Sequence, residues 1–237
     1  MRKDTFFKNS FFLTASNITT GILGFIFSMY LGNIAGPEGL AVYGLVMPVY
    51  NLFICLMTAG IIAAISQRSA IYESTGEYNN LFKTINTVAF FNIIWSIIIG
   101  ILVFFLAPYI SKYGIKDPRT LNAIRVTCPA MVFIALSNIL KGFFYGTSRI
   151  TVPAIIDISE KAMRIITITL LIFIFKAQTL SSIVTLAFVS LAIGELQSLL
   201  LLYAYFKYTK RHMPLGHDIP ERKAQLLFNV LIVSLPL

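Results

Sequence analysis

Cysteine, histidine and charge are all scarce in this sequence. The two cysteines, Cys55 and Cys128, stand far apart in apolar stretches, so they form no disulfide framework and no metal-ligand spacing and read as packing residues. His212 and His217 lie five apart in a polar segment without a nearby cysteine, and no metal is expected there. Catalytic signatures are missing too: there is no glycine-rich phosphate loop ending in Lys-Ser/Thr, no HExxH and no serine elbow. The chain is therefore not read as an enzyme, and no cofactor is expected. Charged residues make up 12% of its 237 positions, about half the share of a soluble domain.

Apolar residues fill the space. Six stretches, near 10–32, 40–66, 84–107, 121–146, 152–175 and 180–206, are each long enough to cross a hydrocarbon layer, which takes about 20 residues of helix. Asn33 to Gly39, with Pro37 and two glycines, punctuates the first two stretches as a tight turn. A seventh run starts near Ala224 and reaches Leu237 after about 14 residues, too few to cross. The expected organisation is a six-span lobe over 1–206, a charged linker over 207–223 and the start of a seventh span over 224–237, with the chain read as a fragment.

The net charge of +9 does not point to nucleic acid, because the cations sort by loop. Arg2, Lys3, Lys8, Arg68, Lys83, Arg149, Lys207, Lys210, Arg211, Arg222 and Lys223 fall on one side, and Lys112, Lys116, Arg119 and Lys176 on the other. The excess of positive charge in cytoplasmic loops then places the N-terminus and the 207–223 linker in the cytoplasm.

The most informative pattern lies in the fifth stretch. Asp157, Glu160, Lys161 and Arg164 follow one another at i, i+3, i+4 and i+7, which puts them in one sector roughly 100° wide at 100° per residue. Charges inside a span normally face a bundle interior or a water-filled cavity and mark transport pathways. Helical rise puts Arg164 about 18 Å and Glu195, on the sixth stretch, about 16 Å from the same surface, so the two are expected to pair or to share a hydrated cavity. Asp157 and Lys161, at i, i+4, are expected to form an ion pair near the surface. Lys141 is expected to snorkel from its helix end. Arg125, two turns into the fourth stretch, either snorkels or faces the outer half of a cavity, and Arg149 is a loop charge suited to a headgroup or phosphate. Thr14, Asn17, Thr20, Gly21, Gly24 and Ser28 share one face of the first stretch, either a packing seam or a cavity lining.

Several segments resemble a known family. They are Thr20-Gly-Ile-Leu-Gly-Phe25, Gly36-Pro-Glu-Gly-Leu-Ala-Val-Tyr-Gly44, Ala64-Ile-Ser66, Lys141-Gly-Phe-Phe-Tyr-Gly146 with Pro153, Ile158-Ser-Glu160-Lys-Ala-Met-Arg164, and Gly194-Glu195. In this order they resemble the polysaccharide-export and stage V sporulation protein B branch of the multidrug/oligosaccharidyl-lipid/polysaccharide (MOP, MATE-like) exporter superfamily. The resemblance implies an all-α integral membrane fold of two six-helix lobes around a central cavity, in the bacterial cytoplasmic membrane. This chain would supply the N-terminal lobe plus the start of a seventh span, with a C-terminal lobe as missing partner. It further implies a flippase moving an undecaprenyl-linked glycan or peptidoglycan precursor among the membrane lipids by alternating access, and in the sporulation branch a link to spore cortex. Glu160, Arg164 and Glu195 occupy positions where the branch commonly has Glu, Arg and Glu. Relatives often carry arginines in the first span, where this chain has Thr20 and Ser28, so Arg125, Arg149 or Arg164 would grip the substrate pyrophosphate. Other readings are a cation-coupled multidrug exporter of the same superfamily, with a cavity of carboxylates and aromatics, and a non-transporting truncated protein. The outer loops are too short for a membrane polymerase or ligase.

Overall fold

The computed structural model describes residues 2–58, 60–214, 216, 218–219 and 221–234, and for residues 2–6 and 8 the backbone alone. His217 lies outside the described residues, as do the last three positions of the chain. Long apolar runs fold as helix because every backbone amide is then satisfied within its own segment. The helices are α1 (Arg2–Thr58), α2 (Ile61–Thr75), α3 (Tyr78–Tyr109), α4 (Leu121–Gly146), α5 (Thr151–Phe175), α6 (Leu180–His212) and α7 (Lys223–Ser234), with a π-helical turn at Ile110–Ile115 and a 3₁₀ turn at Pro118–Thr120 between α3 and α4. Among the described residues, four helical stretches are long and apolar enough to cross a membrane: Asn9–Thr75, Tyr78–Ile115, Pro118–Gly146 and Leu180–His212.

α1 is two helices joined through a break. Gly36 holds φ 71° and ψ 178°, a region open to glycine and almost nothing else. The chain reverses there: the Phe27 and Tyr43 rings lie 5.9 Å apart, although sixteen residues of straight helix would separate them by about 24 Å. The expected turn at 33–39 is thus present, compressed to one residue. The second stretch differs from expectation. It breaks at Gly60, with φ 66°, where the Ser234 backbone of α7 packs so closely that an added Cβ would clash. Residues 61–66 belong to α2, which continues to Thr75. α6 also runs past 206 to His212, so the described residues of the linker are non-helical only between Met213 and Arg222.

The packed interior falls into two apolar cores. One gathers Phe27, Leu31, Val46, Val103, Ile124, Met131, Ile168 and Phe188 from α1, α3, α4, α5 and α6. The other gathers Ile65, Ile85, Phe143, Phe144, Leu202, Phe206, Leu226 and Val230 from α2, α3, α4, α6 and α7. On α4, α5 and α6 the residues between these two sets are polar. Ser137, Asn138, Glu160, Arg164, Glu195 and Ser198 are all buried, and they form a polar layer across the bundle.

Candidate functional site

The α5 stripe faces inward, as its spacing requires. Glu160 and Arg164 are buried and Asp157 and Lys161 half-buried, while Ile155, Met163, Ile166 and Leu170 on the opposite face are exposed. Glu160, Arg164 and Glu195 keep only 4, 7 and 6% of their surface exposed. Carboxylates and a guanidinium so deeply placed are retained only with compensating partners.

Those partners differ from the expected ones. Lys141 of α4 does not snorkel; its Nζ lies 2.7 Å from Asp157 Oδ1. Lys161 Nζ lies 2.7 Å from Glu160 Oε2 and not against Asp157, which is engaged by Lys141 of α4. Arg164 and Glu195 form no salt bridge. The Arg164 guanidinium stacks 4.1 Å from the centroid of the Phe27 ring and donates a hydrogen bond to the Tyr43 hydroxyl, so both halves of the α1 hairpin enclose it. The charges that bear on Glu195 are those of Glu160, Lys161, Lys141 and Asp157. Equal depth along two helices sets height and not azimuth, which is why the two residues share the layer without touching.

The layer holds three carboxylates (Asp157, Glu160, Glu195) and three cations (Lys141, Lys161, Arg164), so it carries no formal net charge. Gly194 explains how α6 approaches so closely: a Cβ there would lie 3.3 Å from Glu160 Oε1. On the next turn Gln197 Nε2 donates to Ser159 Oγ at 3.4 Å. Several buried polar atoms find no protein partner: Tyr50 Oη, Glu160 Oε1, Arg164 Nε, Gln197 Oε1 and Ser198 Oγ. Tyr50 lies within the fields of Glu195, Arg164 and Glu160 together. Such unspent donors and acceptors, concentrated in one layer, are uncommon in a purely structural core.

Arg125, Arg149 and Asn17 stand apart from this layer. Arg125 lies 5.2 Å over the Phe104 ring of α3, about 24 Å along α4 from Lys141 at 1.5 Å per residue, and Phe104 is exposed; that stack fits the snorkelling alternative. Arg149 sits in the α4–α5 turn near Glu73, about 22 Å from Arg164 along the chain. Asn17 is exposed, and an added Cβ at Gly21, Gly24 or Gly44 would meet nothing within 4 Å. On the polar face of α1, Thr14, Asn17 and Gly21 are exposed and Thr20, Gly24 and Ser28 half-buried. Phe27, Tyr43, Tyr50 and Lys141 joined the site without a sequence signal of their own, although Tyr43 and Lys141 lie in the quoted motifs.

Residues 6–235 match the family described as Polysaccharide biosynthesis protein. The chain belongs to this family. Stage V sporulation protein B of Bacillus subtilis (strain 168) is 29% identical over 238 residues, covering 100% of this chain and 46% of that protein. Lipid II flippase MurJ of the same organism is 24% identical over 215 residues, covering 86% of this chain and 39% of the relative. The chain thus spans about half the length of the curated relatives it matches, or less. Among solved structures, an outward-facing multidrug resistance MATE family transporter of the MOP superfamily superposes with a TM-score of 0.71 at 21% identity, over 99% of this chain and 51% of the other. A MOP superfamily transporter from Pyrococcus furiosus, described by a binding pocket of reverse polarity, gives 0.72 at 21% identity over 99% and 51%. The family member described here is thus an all-α, multi-pass membrane protein with the fold of about half a MATE transporter.

Proposed function

We propose that this chain forms the N-terminal six-span lobe of a flippase, with residues 207–223 as linker and 224–237 as the start of a seventh span. The flippase moves an undecaprenyl-linked glycan or peptidoglycan precursor across the bacterial cytoplasmic membrane by alternating access with a second lobe, and its N-terminus is cytoplasmic. The observation that carries this reading is the polar layer between two apolar cores, with Glu160, Arg164 and Glu195 buried and Lys141, Asp157 and Lys161 half-buried beside them. It supplies charge and unspent hydrogen-bonding atoms at mid-depth, where a polar headgroup must pass. Two relatives with names tied to sporulation and to lipid II support the substrate class.

In this reading the exposed face of α1 with Asn17, Thr20 and Gly24 lines the passage, and the lipid tail stays in the bilayer. Arg164 offers its planar fork to the diphosphate, the geometry guanidinium matches best, once Tyr43 and Phe27 release it. A headgroup site must bind in both orientations without strong bias, or turnover stalls, and a layer without net charge meets that demand. Arg149, in the α4–α5 turn at the end of the bundle, contacts the headgroup on entry or exit.

The balanced charge of the layer and its carboxylates also favour a second reading, a cation-coupled multidrug exporter of the same superfamily. Reconstituted vesicles separate the two. The flippase reading expects this chain, paired with a second lobe, to move a fluorescent undecaprenyl-diphosphate glycan to a leaflet where an impermeant reagent reaches it. Efflux of cationic drugs with no movement of the glycan would replace that reading with the exporter.

A further inference from the structure

A second polar region lies at the end of the bundle that carries the linker. There α3, α6 and α7 surround a pocket of about 550 Å³ lined by Lys83, Lys210 and Lys223 together with Asn86, Phe82 and Phe90. Lys210 Nζ sits 5.1 Å over the Phe82 ring, and Lys83 Nζ donates to the Glu221 carbonyl at 2.5 Å, which leaves it two further donors. No carboxylate is among the described residues that line the pocket, and those nearby are engaged or buried. Both oxygens of Asp218 accept from the backbone amides of Asn79 and Asn80, at 3.0 and 2.8 Å. Glu77 Oε2 accepts from Asn80 Nδ2, and Glu221 Oε2 is buried away from the opening.

The position of the pocket along α3 says what reaches it. Phe90, Ile94, Ile97, Ile101 and Phe105 are all exposed and fall in a sector under about 100° wide, a stripe about 22 Å long. Lys83 and Asn86 extend the same sector towards the linker end. An apolar stripe longer than one leaflet's hydrocarbon depth of about 15 Å, ending in a lysine pocket, accommodates a phospholipid, with acyl chains on the stripe and phosphate among the ammonium groups. Exposed Tyr203, Tyr205 and Tyr208 on the last turns of α6 mark this level as the headgroup region, where aromatic belts lie.

The geometry points to a binding site for the phosphate of an anionic phospholipid, built by Lys83, Lys210 and Lys223 and distinct from the charge layer. Bound there, the lipid bridges α3, α6 and the start of α7 and ties the linker region to the bundle.

The test uses the full chain in detergent, titrated with phosphatidylglycerol, phosphatidylcholine or glycerol 3-phosphate and read by native mass spectrometry. Phosphatidylglycerol should bind in preference to phosphatidylcholine. The double variant Lys210→Gln, Lys223→Gln, which spares the Lys83 contact with the linker, should lose roughly thirty-fold in affinity. Lys112→Gln with Lys176→Gln, the same charge removed at the other end, should leave binding within about twofold, since exposed charges more than about 10 Å away are screened. Lys210→Arg with Lys223→Arg should retain it and shows that loss in the glutamine pair is not misfolding. Equal binding of the two lipids, or equal loss in both glutamine pairs, would overturn the site. Tighter binding of glycerol 3-phosphate than of phosphatidylglycerol would overturn its assignment to a lipid.

Discussion

Asp157 and Lys141 show how a single contact sets the register of this bundle. Their 2.7 Å contact joins α4 to α5, with side-chain exposures of 27 and 16%, between the surface and the fully buried regimes. Removing either partner should lower stability by about 2 kcal/mol, read as a thermal shift in detergent, and the swap of both residues should recover most of it. If the swap melts no higher than the single variants, the contact does not set the register. Gly194→Val should push Glu160 from its place, since a Cβ already meets Oε1 at 3.3 Å; overpacking of this kind costs about 1–3 kcal/mol, and a melting point equal to the parent's would show that α5 yields freely. The inward stripe on α5 was legible because charges at helical spacing stand out in an apolar run. The partners were not. Phe27 and Tyr43 look like any aromatic residues in a span, and nothing in a list of charges says that an arginine will stack on rings in preference to pairing with a glutamate.

At the scale of elements, α1 depends on one residue. Gly36→Ala places a Cβ in a backbone region that is essentially reserved for glycine, at about 1–3 kcal/mol, and should lower the melting temperature more than Gly21→Ala, whose surroundings are open; the reverse order would refute the hairpin. The α3–α4 connection carries an acid-sensitive clip. Asp117 accepts hydrogen bonds from Arg119 Nε and Nη2, at 3.0 and 2.8 Å, and these hold its carboxyl below the usual 3.8 despite partial burial. A depressed carboxyl contributes stability that is fully present above the unfolded value and is lost as pH falls through the folded one. Hydrogen-exchange protection of residues 110–120, taken relative to the intrinsic chemical rate at each pH, should therefore be steady down to about pH 5 and fall below about pH 4, and Asp117→Asn should abolish that fall. A flat profile in the parent would remove the clip from the account. The helical character of the apolar runs was readable from their length, and the turn at 33–39 from Gly and Pro. The break at Gly60 was not, because it depends on α7 packing there from far along the chain.

The whole molecule joins two apolar cores through a polar layer, with the small, polar face of α1 partly exposed beside them. Membrane character was legible from composition, and the superfamily from motifs spread over the chain. Which helices meet within the layer was not, since hydropathy reports depth and says nothing of neighbours. The central claim is that this layer serves passage of a lipid-linked headgroup, with Arg164 as its phosphate contact. The most direct measurement is the translocation rate of fluorescent undecaprenyl-diphosphate glycan in vesicles, with this chain paired to its second lobe, for the parent and for Arg164→Ala and Arg164→Lys. The account predicts a fall of at least about tenfold in both, since the ammonium of lysine reproduces neither the fork nor the stacking, with helix content unchanged. Translocation at the parental rate in Arg164→Ala would contradict it.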